Sequence, residues 1–299
     1  MPDKYCDVAF VTVNYNTRPL VEDLLNFFSR EDLPFSHTLV VVDNGSRDGS
    51  HELLNRQAGS TVYIPAGKNL GYGRAVNLGI RAVESRYVCV LNTDVLLSTE
   101  SLVTLWDFME QSPQVGIVSP RIANRDGSTQ GFIFYKSPLS MIFNVMNTVR
   151  TSLLKRRLAR STAPMRVQGV LGAFFLIRRS LVPDAGLFDE DFFFYYEDTD
   201  LAHRMYDAGV ICFALPSCSV IHLGGSSTSI EGSRMFYKSK GLYLRKHYGE
   251  GFARIVKLID RFRLRAKYIK YCLLSLFLPT RRISEKKVFY AAMRHASDY

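Results

Sequence analysis

The run FDEDFFFYYEDTDLAHRMYDAGV, residues 188 to 210, sets Asp189, Glu190, Asp191, Glu197, Asp198 and Asp200 around six aromatic side chains before helical spacing takes over. Carboxylates are normally kept in water and aromatics normally are not. Crowding them raises the cost of ionisation, which is how a carboxylate is tuned as a base or readied for a metal. The same run also reads as an acidic helix N-terminus, where free N–H groups and the helix dipole favour negative charge.

Other candidates are scattered along the chain. Asp43, in VVVDNGSRDGS, can close an Asx turn or accept a hydrogen bond from a pyrimidine N3–H or a ribose. Asp94, in LNTD, can cap the next helix or ligate a hard divalent cation. His222, ending SCSVIH, is a structural hydrogen-bonding residue or a ligand. GKNLGYGRAVNLG, residues 67 to 79, has G-x-G before a helix but Val76 at the third glycine position, so it is a weak dinucleotide fingerprint. Lys68, Arg74 and the helix N-terminus there nonetheless suit a diphosphate.

The elements that must position these residues alternate in type. Strands are expected at 9–15, 37–46, 61–65 and 87–94, and helices at 19–30, from about 50, at 72–85 and at 101–111. This order predicts an α/β fold with a doubly wound, mostly parallel sheet. In such sheets ligands bind at the carboxyl ends of strands, where Asn14, Asp43 and the Asn92-Thr93-Asp94 triplet gather. Further on, 141–160 reads as a basic amphipathic helix, 167–179 as a buried strand, 210–222 as one or two strands and 232–249 as a helix.

The chain has 299 residues and a net charge of +10. Eleven basic residues against Asp260 and Glu285 put +9 of that charge between Arg254 and Lys287. Five cysteines without C-x-x-C spacing point to reduced thiols and a cytosolic compartment. The N-terminus lacks the basic and apolar regions of a signal peptide. The apolar stretch at 271–278 is too short to cross a bilayer. A soluble or peripheral protein is expected.

VDNGSRDGS, NLGYGRAVNLGI, LNTDV, GAFFLIRRS, GLFDEDFFFYYEDTDLAHRMYDAG and HLGGSS follow one another in the order and spacing of family 2 glycosyltransferases. The chain resembles, more narrowly, the bacterial rhamnosyltransferases of surface polysaccharide synthesis, over roughly residues 7 to 250. The resemblance implies a GT-A fold and inverting transfer from a nucleotide-diphosphate sugar, usually with Mg2+ or Mn2+. It implies a nucleotide site at Thr12, Asn14, Asp43, Asn69, Arg74 and Asn92, and metal ligation by Asp94 and His222. Asp198 would be the general base beside Glu197, with Gly172, Ala173 and Asp200 on the sugar and acceptor side. Many relatives carry D-x-D where this chain reads Asn92-Thr93-Asp94. An amide supplies no negative charge, so Asp94 is the metal ligand of the triplet that the resemblance implies, and Asn92 is expected at ribose or sugar.

The expected domains are a catalytic domain over 1–250, nucleotide-binding to about 120 and acceptor-binding beyond, and a basic helical tail over 251–299. In the tail, Ile255, Leu258, Phe262, Ala266, Ile269, Leu273 and Leu276 form one apolar helical stripe among basic residues. That pattern reads as docking on an anionic membrane surface, or else as packing on the catalytic domain or a homo-oligomer contact. No recognition motif for nucleic acid accompanies the charge.

The reading is an inverting transferase at the cytoplasmic face of the inner membrane. It would move rhamnose from dTDP-rhamnose to a lipid-linked or growing glycan. A UDP-hexose or UDP-N-acetylhexosamine donor is the alternative within the family. A nicotinamide oxidoreductase and a silent nucleotide-sugar-binding membrane scaffold are the rivals of other classes.

Overall fold

The computed structural model describes residues 5–57, 61–131, 144–183, 186–224, 229–278 and 280–294. These divide into two compact units. One comprises the described residues of Met1–Tyr135, Asn147–Phe193 and Glu197–Gly224; the other comprises those of Lys136–Met146, Phe194–Tyr196 and Gly225–Tyr299. The boundary expected at 250 falls inside a long helix, next to its kink at Gly249.

The first unit is built on one sheet. Its strands are β1 (Tyr5–Asn14), β2 (His37–Asp43), β3 (Thr61–Pro65), β4 (Glu84–Asn92), β5 (Val95–Leu96), β6 (Val115–Ala123), β7 (Met165–Val167), β8 (Phe174–Arg178) and β9 (Ile211–His222). They lie in the order β3-β2-β1-β4-β8-β6-β9-β5, with β7 also paired to β9. Parallel pairing joins β3 to β2, β2 to β1, β1 to β4, and β6 to β9. β8 enters antiparallel between β4 and β6, and β5 and β7 flank β9 antiparallel. Six described strands therefore share one direction, so the sheet is mixed and mostly parallel.

Alternation along the strands fills both faces, as a doubly covered sheet requires. Val8 and Phe10 join Leu39, Val41, Cys89 and Leu91 against helices α1 (Arg18–Arg30), with Leu24 and Phe28, and, beyond the short α2 (Ser50–Asn55), α4 (Thr99–Gln111), with Leu102 and Leu105. On the other face Ala9, Val11, Val40, Val88 and Val90 meet Val76 and Ile80 of α3 (Tyr72–Arg81). Leu158 of α5 (Asn144–Arg160) and Leu201 and Met205 of α6 (Glu197–Asp207) complete that layer.

Two expectations are corrected. α3 stops at Arg81 rather than 85, because β4 begins at Glu84. The strand expected over 167–179 is two, β7 and β8, separated by a glycine-containing turn whose backbone groups serve the site instead of a ladder. The stretch 210–222, expected as one or two strands, forms one, β9, with an irregularity in its pairing to β6. The first three residues of the helix expected at 141–160 lie outside the described residues.

The second unit is helical. α7 (Ile230–Phe277) carries a break at Gly249, whose φ of 82° glycine tolerates at little cost, and it is followed by α8 (Arg281–Met293). The break folds α7 back on itself: Lys240 on the first half makes a buried ion pair with Asp260 on the second. Within this unit, Phe236 and Tyr243 of α7 pack on Tyr196, and Ser239 Oγ donates to the Phe194 carbonyl at 2.7 Å. The gripped residues Tyr195 and Tyr196 have φ of 67° and 68°. That left-handed backbone costs a non-glycine residue roughly 1–3 kcal/mol.

Candidate active site

The polar groups stand where the apolar core of the sheet runs out. Phe10, Thr12 and Asn14 share one face of β1, and Asn14 is paired in register with Asp43. Asn14 Nδ2 donates to Asp43 Oδ1 and to Ser46 Oγ, each at 2.9 Å, while its Oδ1 accepts from Thr17 Oγ1 at 2.7 Å. Thr17 Oγ1 lies 3.0 Å from Thr93 Oγ1, which ties this network to the triplet after β4. Thr12 sits one layer below, wholly buried, and its hydroxyl finds no hydrogen-bond partner among the described residues. It underlies the network instead of lining its surface.

The segment before α3 is organised by a residue the sequence did not single out. Asn44 is buried, donates to Asn69 Oδ1 at 3.1 Å and accepts from the Leu70 N–H at 2.8 Å. Asn69 in turn accepts from the Gly71 N–H at 2.9 Å. Gly71 has φ of 87°, and a Cβ there would lie 2.4 Å from the Phe193 carbonyl oxygen, so glycine is required. Arg74, expected at the nucleotide, donates from Nε to the Glu190 carbonyl at 2.8 Å. Asn77, buried in α3, braces the same run by donating to the Phe188 carbonyl and accepting from the Phe188 N–H.

Asp94 and His222 are brought together by the antiparallel pairing of β5 with β9. His222 Nε2 lies 3.2 Å from Asp94 Oδ1 and 3.4 Å from Asn92 Nδ2. The other ring nitrogen is held by Gln130, which the sequence reading missed. Gln130 Nε2 donates to Asn124 Oδ1 and to the His222 carbonyl, so its Oε1 is the atom 2.9 Å from His222 Nδ1. An amide oxygen can only accept, hence Nδ1 carries a proton and Nε2 is the nitrogen that faces the carboxylate. A ring nitrogen and a carboxylate oxygen at that distance share a proton or a cation. An imidazole nitrogen with a carboxylate oxygen suits Mg2+ or Mn2+ when diphosphate and water supply the other positions. Among the described residues no third His, Cys, Asp or Glu joins them.

The acidic pair opens α6. Glu197 is buried, and its Oε2 finds no hydrogen-bond partner among the described residues. Burial first, and then the neighbouring charge of Asp198, push its carboxyl up to about 8. Glu197 is thus biased toward its protonated form, beside half-buried Asp198. Asp198 Oδ2 accepts from the Gly172 N–H at 3.3 Å. The Gly172 carbonyl accepts from Tyr72 Oη at 3.0 Å, and the Ala173 carbonyl accepts from the Asn92 N–H at 2.9 Å. The turn between β7 and β8 thus links Asp198 directly to the strand end that carries Asn92 and Asp94. Tyr72 was also missed; burial and the charges of Glu197, Asp198 and Asp94 hold its hydroxyl well above the usual tyrosine range. Asp200, expected near the sugar, is 1% exposed and pairs with Arg204 at 2.7 Å, while Arg204 also reaches the Leu187 carbonyl.

Comparisons with known proteins identify the family and the fold. Residues 9–185 match the family described as glycosyl transferase family 2. The chain is 32% identical over 240 residues to an N-acetylglucosaminyl-diphospho-decaprenol L-rhamnosyltransferase of Mycobacterium tuberculosis, covering 73% of this chain and 76% of that one. It is 28% identical over 293 residues to the low-salt glycan biosynthesis hexosyltransferase Agl10 of Haloferax volcanii, covering 96% and 88%. Among solved structures, the mannosyltransferase PcManGT of Pyrobaculum calidifontis, in complex with GDP-Man and Mn2+, aligns with a TM-score of 0.61 at 17% identity, over 100% of this chain and 88% of that one. GalNAc-T7 with UDP, GalNAc and Mn2+ aligns with a TM-score of 0.55 at 16% identity, over 80% of this chain and half of the other. The chain belongs to glycosyl transferase family 2. It is a glycosyltransferase of GT-A fold.

Proposed function

We propose that this protein transfers rhamnose from dTDP-rhamnose, with inversion, to a hydroxyl of a lipid-linked or growing surface glycan. The observation that carries the reading is the convergence of Asp198, through Gly172 and Ala173, with the strand end bearing Asn92, Asp94 and His222. The mycobacterial relative, named for rhamnosyl transfer to a diphospho-decaprenol, supports the choice of sugar and acceptor. Asp43 at the end of β2 suits the N3–H shared by thymine and uracil, so a UDP-hexose or UDP-N-acetylhexosamine is the donor to compare.

In this reading the acceptor hydroxyl attacks the anomeric carbon from the side opposite the diphosphate. Its proton passes to Asp198, and the breaking C–O bond leaves its electron pair on the nucleoside diphosphate. A protonated Glu197 spares Asp198 a second nearby charge, and the Gly172 N–H orients its carboxylate. Asp94 and His222 would hold the divalent cation, which when bound stabilises charge growing on the leaving diphosphate. Asp200 acts through Arg204 to set α6, and Arg74 through Glu190 to set the acidic run. A water-soluble donor and a lipid-linked acceptor meet at a membrane face, for which the cytoplasmic one is proposed.

The test is transfer from dTDP-rhamnose, UDP-glucose and UDP-N-acetylglucosamine to a short-chain N-acetylglucosaminyl-diphospho-polyprenol, followed by mass spectrometry and with the anomer assigned by NMR. Transfer from dTDP-rhamnose with inversion is expected. Asp198→Asn, folded as judged by its melting transition, is expected to lose between about 100- and 10,000-fold in rate. A retained rate in that variant, or a retained anomeric configuration, overturns the mechanism.

A further inference from the structure

The second half of α7, from Glu250 to Phe277, is about 40 Å long and has two unlike apolar faces. Ala253, Val256, Asp260 and Leu264 are buried. They lie on the side that meets the first half of the helix through the Lys240–Asp260 pair, and α8 through Met293. At about 100° per residue, Ile255, Leu258, Phe262, Ile269, Leu273 and Leu276 fall roughly on the opposite side. All six are exposed, Phe262 at 75% and Leu276 at 73%, so the stripe is not core. A continuous row of large apolar side chains facing water marks an interaction surface. Exposed Arg254, Arg265 and Lys270 border it.

We infer that this face docks in the plane of an anionic lipid bilayer, with the stripe entering the acyl boundary and the bordering cations meeting the headgroups. Among the described residues no helix is long and apolar enough to cross a membrane, which leaves the helix lying on the surface. Charge selects lipid over a second copy of the chain. Self-pairing would bring together two segments each carrying +9 between Arg254 and Lys287, and would set Arg265 in the seam, seven residues after Leu258. An anionic surface neutralises the same charge.

The experiment is co-flotation of the full chain with vesicles, without donor or acceptor, so its outcome does not depend on the transfer reaction. Binding is expected to vesicles of equimolar phosphatidylglycerol and phosphatidylcholine, weakened by salt, with little binding to phosphatidylcholine alone. Phe262→Glu with Ile269→Glu should weaken partitioning by about 100-fold or more. Arg254→Gln, Arg265→Gln and Lys270→Gln together should weaken it by about 100-fold. All these positions are solvent-facing, and an unchanged melting transition would establish folding of each variant. Equal, salt-insensitive binding to both vesicle types overturns the inference. So does a dimer in light scattering that the Phe262→Glu, Ile269→Glu variant converts to a monomer while the parent fails to float.

Discussion

His222 Nε2 lies 3.2 Å from Asp94 Oδ1, and the backbone locks the two in place: the Leu223 N–H donates to the Asp94 carbonyl at 2.9 Å. The pair is aimed by Gln130, whose Oε1 takes the Nδ1 proton.

If Asp94 and His222 hold the cation as proposed, removing that aim should be felt at the metal. Gln130→Leu is expected to weaken Mn2+ binding, in the presence of a nucleoside diphosphate, by about 10- to 100-fold by calorimetry. Gln130→Glu keeps an acceptor for Nδ1 and should restore most of the affinity. Equal affinities for parent and leucine variant would show that Gln130 does not orient the ligand.

Glu197 makes stability depend on pH in a stated direction. Its carboxyl sits at about 8 in the folded chain against an ordinary 4.5, so the folded state holds a proton that the unfolded state gives up. The contribution is fully present below about 4.5 and is lost as pH rises through about 8. Glu197→Gln, which cannot ionise, should flatten the fall in melting temperature across that window and be the more stable protein at pH 8. Its transfer rate should fall far less than that of Asp198→Asn, which separates the two roles. A parent whose melting temperature rises across this window would contradict the assignment.

Tyr72 and Asp198 are joined through Gly172, whose carbonyl accepts from Tyr72 and whose N–H donates to Asp198. Tyr72→Phe removes the donor to the Gly172 carbonyl and should cost about 1 kcal/mol of stability in denaturant titration. The rate constant for transfer should drop with little change in donor KM, because the turn that holds Asp198 loosens while the Asn14–Asp43 network, proposed to bind the nucleotide, is untouched. A selective rise in donor KM would instead assign Tyr72 to the nucleotide.

The Lys240–Asp260 pair should be the costliest ionic contact to break in the helical unit. Both side chains are buried, so Asp260→Asn leaves an ammonium without its partner charge and is expected to cost about 3–5 kcal/mol. Replacing both, as Lys240→Met with Asp260→Leu, should recover most of that loss. A double variant no more stable than the single one would mean that the pair is not a unit.

The alternation of β-branched strands with amphipathic helices prescribed a parallel α/β core, and polar residues ending apolar runs marked Asn14, Asp43 and Asp94. Those assignments need only local pattern, because a strand's carboxyl end is readable from where its apolar run stops. The motif order added Asp198 and His222, and residue composition alone exposed the basic apolar stripe of the tail. Tertiary structure decided the rest. Gln130 and His222 are 92 residues apart, and Tyr72 and Gly172 100 apart. A single glutamine or tyrosine carries no signal of the partner it will meet. The commitment of Arg74 to Glu190, the burial of Thr12 and the pairing of Asp200 with Arg204 likewise follow from packing, not from residue type. The stripe in the tail could have been core or surface on sequence grounds. The fold-back at Gly249 decided it, by turning Ala253, Val256, Asp260 and Leu264 inward and leaving Phe262 and its neighbours facing water.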